Sequence, residues 1–139
     1  MKTGLLFPGQ GSQKPEMLHD LVPHPAVDDT LSEVSEVLGL DVRTFDTSEA
    51  LQSAICVQLA ILTAGVATAR ALQQGGCEPL AVAGLSVGTF SAAVAADSIS
   101  LADAVRLVHS RAEQMLTGAT RHAHGHASVT SYICILKGL

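Results

Sequence analysis

Gly84-Leu85-Ser86-Val87-Gly88 stands between an apolar run and an alanine-rich stretch, and this placement constrains the fold more than any other feature of the chain. Residues 80–85 (LAVAGL) are short and apolar enough for a central parallel strand, and residues 87–96 favour a helix. A G-x-S-x-G turn in that context is the pattern of a nucleophile held at a sharp strand-to-helix elbow. The flanking residues must be small because the backbone doubles back on itself. The turn lifts Ser86 Oγ out of the sheet, the amides that follow face a developing oxyanion, and the helix N-terminus favours negative charge there. A small-residue packing turn with an inert serine is the plainer alternative, and the flanking strand and helix weigh against it.

The rest of the chain repeats the alternation of strand and helix. Residues 3–7 are an apolar run ending at Pro8-Gly9, which predicts a buried strand leaving a sheet. Val27, Leu31, Val34 and Leu38 recur at helical spacing, and Gly39 stands where that helix should stop. Asp46 and Glu49 predict a capping pair for the next helix, which carries Leu51, Ile55, Leu59, Leu62, Val66 and Ala69 on one stripe before Gly75-Gly76. Ser100 with Asp103 marks another capped start, followed by an amphipathic face of Leu101, Val105, Val108, Ala112 and Met115. This order predicts an α/β layer fold with a short parallel sheet and flanking helices. From Thr117 the helical period stops, and residues 128–136 read as a lone strand with no helix after it.

Composition narrows the function classes. With 139 residues, 47% hydrophobic and 15% charged, the chain has enough material for one core and too little charge for disorder. A net charge of -5 argues against nucleic acid as a partner, and 3% aromatic residues leave few base-stacking platforms. No window is expected to cross a membrane: residues 54–72 are interrupted by Gln58, Thr63, Thr68 and Arg70 and read as a buried helix. The N-terminus lacks the apolar length of a signal peptide. Cys56, Cys77 and Cys134 are odd in number and far apart, as expected of reduced thiols in a cytoplasmic protein.

Phe7-Pro8-Gly9-Gln10-Gly11-Ser12-Gln13 is a second glycine-rich loop at a strand end. A dinucleotide fingerprint would need glycine where Lys14 stands, and a Walker A loop would need glycine in place of Gln13. What remains is a loop whose glycines let backbone N–H groups approach a ligand, and beside Ser86 it could give a second oxyanion donor.

FPGQGSQ followed by GLSVG after an apolar strand resembles the malonyl-CoA:acyl carrier protein transacylases. The resemblance runs from Thr3 to about Met115. Pro23-His24-Pro25-Ala26-Val27, Thr30-Leu31 and the form GLSVG look most like the transacylase subunit of bacterial malonate decarboxylase. Leu85 and Thr89 stand where fatty-acid-synthesis transacylases more often have His and Glu. The resemblance implies that Ser86 carries malonyl as an ester and that the backbone amides of Gln10 and Val87 form the oxyanion hole. It implies that Arg111 pairs with the malonyl carboxylate, a role suited to a guanidinium. Gln58 matches a glutamine near the pocket, with Leu59 where proline is usual. The implied substrate is a coenzyme A thioester, with no bound cofactor or metal. The implied partners are malonyl-CoA, an acyl carrier protein and other malonate decarboxylase subunits.

The implied fold is a partial α/β-hydrolase-like layer without the family's ferredoxin-like subdomain. Residues 1–116 correspond to the N-terminal part of the catalytic domain, and 117–139 form an atypical tail with the texture of a truncated or out-of-frame product. The family's catalytic histidine lies farther downstream. None of His19, His24, His109, His122, His124 or His126 sits in its motif. A catalytically inactive fragment is therefore a second reading. A serine hydrolase using Asp97 or Asp103 with His122 is a third. His122, His124 and His126 could share one face of a strand, but no carboxylate or cysteine lies at ligand spacing, so no metal site is expected.

Overall fold

The computed structural model describes residues 2–119 and 132–136, the last five as backbone. Three strands and four helices follow in the order β1 (Thr3–Phe7), α1 (Pro25–Leu38), α2 (Ala54–Gln74), β2 (Pro79–Leu85), α3 (Gly88–Ala95), α4 (Leu101–Ala119) and β3 (Tyr132–Leu136), with 3-10 turns at Val42–Asp46 and Ala50–Gln52 between α1 and α2. β2 is central. It pairs in parallel with β1, Leu5 opposite Val82 and Phe7 opposite Gly84, so both strands end at the same edge of the sheet. β3 pairs antiparallel on the other side, Leu85 opposite Tyr132. The strand expected to stand alone is thus the third member of a mixed sheet, where it satisfies the second hydrogen-bonding edge of β2.

α1 shows how local chemistry sets the boundaries. His24 is its N-cap, Nδ1 accepting from the Ala26 amide, and Pro25 opens the helix where an N–H would be orphaned. Gly39 ends it at φ 70° with its amide donating to Glu36 O. A Cβ at Gly39 would meet nothing within 4 Å. The cost of a side chain there is purely conformational. Gly39→Ala is expected to lower stability by about 1 kcal/mol, read as a lower urea midpoint at unchanged slope.

α2 is the central pillar, with Val57, Leu59, Ala60, Leu62, Val66 and Ala67 in the main core alongside Val34 of α1 and Leu101, Val105 and Val108 of α4. Three expectations are corrected here. α2 is in fact long and apolar enough to cross a membrane by length and composition, but 61% of that window is buried inside the domain. Its polar interruptions are absorbed by the fold: Thr63 Oγ1 donates to Leu59 O, and Arg70 pairs with Glu33 at 2.8 Å. Asp46 and Glu49 do not cap α2. The N-cap is Ser53, without a side-chain bond, and the Asp46 carboxylate turns inward to other partners. Leu51 lies in the preceding 3-10 turn, so the helical stripe begins later than its spacing predicts.

The sheet packs on α2 and α3 through Phe7, Ala69, Val82, Ala92 and Ala95. Gly65 makes this approach possible, since a Cβ there would lie 3.0 Å from Ser91 Oγ and 3.2 Å from Phe7 Cδ1. α4 begins as its sequence predicts, with Ser100 Oγ accepting from the Asp103 amide.

Candidate active site

β2 ends at Leu85 and α3 begins at Gly88, so only Ser86 and Val87 make the turn. Ser86 has φ 52°, a left-handed conformation that a side chain adopts at a cost. Its carbonyl is gripped twice by Thr89, by the amide at 3.0 Å and by Oγ1 at 2.7 Å. The glycines explain why the turn can be so tight. A Cβ on Gly84 would lie 2.1 Å from Gly88 O, and a Cβ on Gly88 would lie 2.3 Å from Phe7 O. A Cβ on Gly9 would in turn lie 2.8 Å from Leu85 O. The end of β1 and the elbow after β2 are therefore locked backbone to backbone, and this brings the Gly9–Gln13 loop beside Ser86.

Both proposed oxyanion donors lie at this junction. Val87 is buried at the N-terminus of α3, and Gln10 is exposed in the turn after Gly9. Neither backbone amide has an acceptor among the described residues, whereas Gly11 N donates to Gln13 Oε1 and Ser12 N to Gly9 O. Two such N–H groups, that of Val87 at the N-terminus of α3 and that of Gln10 in the loop beside it, can take a developing negative charge.

Arg111 reaches the elbow from α4. Its Nη2 donates to Ser86 Oγ at 3.0 Å and its Nη1 to Gln58 Oε1 at 2.8 Å. Gln58 is 1% exposed on α2, and its Nε2 contacts Met115 Sδ at 3.5 Å, which fixes which way the amide faces. Arg43, Arg70 and Arg106 each have a carboxylate within 4 Å. Among the described residues Arg111 has none. A half-buried guanidinium held by neutral groups beside the serine hydroxyl of the elbow is suited to receive an anion.

The structure thus brings together Ser86, Arg111 and Gln58, with the loop of Gln10 and the amide of Val87 on the same junction. It gives Ser86 no base among the described residues. His19 bonds Asp46, His24 caps α1, and His109 lies 3.5 Å from Glu113. Arginine stays protonated and cannot take the serine proton. For the hydrolase reading, Asp103 is paired with Arg106 at 3.2 Å, and His122 lies outside the described residues. The His122, His124 and His126 group and most of the tail expected over 117–139 also lie outside them. No cluster of three or more potential metal ligands occurs among the described residues.

Two contributions to the site escape a reading of the sequence. Thr89 holds the elbow through its hydroxyl, a role that helix-forming context does not signal. Gly9 and Gly88 matter through a contact between segments far apart in the chain, for which only their proximity to strand ends hinted.

Comparison with known proteins bears on this arrangement directly. A family model described as the acyl transferase domain matches residues 5–134. The malonyl CoA-acyl carrier protein transacylase of Escherichia coli is 44% identical over 115 residues, which cover 79% of this chain and 37% of that protein. The acyl-carrier-protein S-malonyltransferase of Burkholderia pseudomallei superposes with a TM-score of 0.78 at 40% identity, covering 84% of this chain and 39% of that one. A malonyl-transacylase solved in complex with its type II PKS acyl-carrier protein gives a TM-score of 0.77 at 38% identity, over 84% of this chain and 40% of the other. The chain spans less than half the length of these relatives. The strand-elbow-helix geometry around Ser86, the matched length and the level of identity agree, and the chain belongs to the acyl transferase domain family.

Proposed function

We propose that this chain carries the acyl-accepting part of a malonyltransferase. Ser86 Oγ attacks the thioester carbonyl of malonyl-CoA, the C–S bond breaks, coenzyme A leaves as the thiol, and malonyl stays as a serine ester. The ester then passes to the prosthetic thiol of an acyl carrier protein, the partner with which one relative was solved. The amides of Gln10 and Val87 take the charge on the carbonyl oxygen, and Gln58 orients Arg111. The observation that carries the reading is the free guanidinium: Arg111 sits 3.0 Å from Ser86 Oγ with no carboxylate of its own among the described residues. The carboxylate of a malonyl group would fill that place, while an acetyl group would leave it empty. The proton of Ser86 goes to a base outside the described residues.

Malonate decarboxylation is the context that GLSVG, Leu85 and Thr89 favour, with the other subunits of such an enzyme as further partners. The cytosol fits the two free thiols Cys56 and Cys77. One observation favours a second reading, an inactive fragment: none of the described histidines bonds Ser86.

Intact mass after incubation with malonyl-CoA or acetyl-CoA tests the proposal. The wild type is expected to gain a malonyl adduct. Arg111→Ala should slow malonyl labelling by about 100-fold, as expected for a lost bidentate pair worth about 3 kcal/mol, with acetyl labelling unchanged. No adduct on a folded wild-type chain would instead establish the inactive fragment.

A further inference from the structure

Asp46 is the buried ionisable group for which the reaction gives no use. It is 1% exposed, yet it lies in the 3-10 turn Val42–Asp46, far along the chain from the elbow. Its Oδ2 accepts from the Leu18 amide at 2.8 Å, from the His19 amide at 3.3 Å and from His19 Nδ1 at 2.9 Å. Its backbone carbonyl accepts from the Glu16 amide at 2.9 Å, and Glu16 itself is at φ 62°. One residue therefore holds the whole turn from Glu16 to His19. A buried carboxylate is tolerated only when its bonds are made, so this attachment is specific in position and direction.

The turn that Asp46 holds is the C-terminal anchor of the Gly9–Gln13 loop. At its N-terminal end the loop is pinned by Gly9 against Leu85 and by Gly88 against Phe7. Between the anchors its own bonds are local: Ser12 N and Ser12 Oγ to Gly9 O, and Gly11 N to Gln13 Oε1. Lys14 to Asp20, at 2.8 Å, joins exposed groups and adds little. Leu18, 2% exposed, plugs the main core directly beneath the clip. A loop with only local bonds takes its conformation from its two ends.

We propose that Asp46 and His19 form a positioning clip that holds the Gln10 amide in line with Val87. The clip acts through the backbone of residues 14–19 and touches neither substrate nor Ser86. This inference rests on the reading of Gln10 as an oxyanion donor. Because that donor engages only as charge develops, loosening the clip should slow acylation without weakening substrate binding.

His19 is half exposed, so its replacement spares the core. In His19→Ala, the amides of residues 16–20, each of which donates a hydrogen bond within the turn or to Asp46, should exchange hydrogen about tenfold faster while those of α2 and α4 keep their rates. The rate of Ser86 malonylation per folded molecule should fall by about tenfold, a fraction of the effect of deleting an oxyanion donor. The malonyl-CoA concentration for half-maximal rate should not move. His19→Asn, whose side-chain N–H can take the place of Nδ1–H, should restore both. Unchanged exchange at 16–20, equal acceleration throughout the core, or failure of His19→Asn to restore the turn would each overturn the clip. Faster exchange in the turn with an unchanged acylation rate would overturn the link to Gln10. If the wild type forms no ester, the transferase reading fails by itself, and the exchange measurement still decides whether the clip holds the turn.

Discussion

Ser86→Ala is expected to remove malonyl labelling completely while leaving the fold and its stability almost unchanged. Among the described residues the hydroxyl makes one side-chain hydrogen bond, as acceptor from Arg111 Nη2, and an alanine at φ 52° bears the same backbone strain. The variant therefore isolates chemistry from structure. Ser86→Gly sharpens the point. Glycine tolerates positive φ, so that variant should be more stable than the wild type by about 1 kcal/mol and equally unable to form an ester. A protein that gains stability on losing its serine holds that serine in place against the conformational preference of its own backbone. Urea unfolding with intact-mass analysis of all three proteins checks it. A stable Ser86→Ala that still gains one malonyl group would place the nucleophile elsewhere.

Gly88→Ala should have the largest effect on folding. A Cβ there would meet Phe7 O at 2.3 Å and Pro8 O at 2.6 Å, and neither is the movable end of a side chain. The strand ends must separate, which breaks the Phe7–Gly84 register and moves the Gly9 loop away from the elbow. The expected loss is about 3–5 kcal/mol, the range of severe overpacking, a large share of the whole stability of a small domain. Gly118→Ala is the matched comparison. It lies in α4 with nothing within 4 Å of a Cβ, and there alanine should stabilise by about 1 kcal/mol. Urea midpoints that move in opposite directions for the two variants would confirm that Gly88 is required for close approach. Equal and small shifts would mean that the elbow can relax.

Sequence alone fixed features whose cause is local. Gly39 ends α1, Ser100 starts α4, and a Ser between glycines joins an apolar strand to a helix, because each depends on residues within one turn of the backbone. Asp46 shows where such reasoning stops. Its spacing to Glu49 suits a capping pair, and the same carboxylate instead reaches His19 and Leu18, 27 and 28 residues away. Nothing in the spacing separates the two uses, because a side-chain oxygen accepts equally well from a near or a distant amide.

The site divides the same way. The sequence by itself determined the strand, the elbow and the need for small residues around Ser86, since tight turns are governed by sterics among neighbours. Only the tertiary structure decided that Arg111 meets both Ser86 Oγ and Gln58 Oε1, 25 and 53 residues away. It also decided that β3 runs antiparallel and that Gly9 and Gly88 interlock the two strand ends. These depend on how α2, α4 and the sheet pack. Packing follows from the burial of many side chains at once, whereas a turn follows from a few adjacent ones.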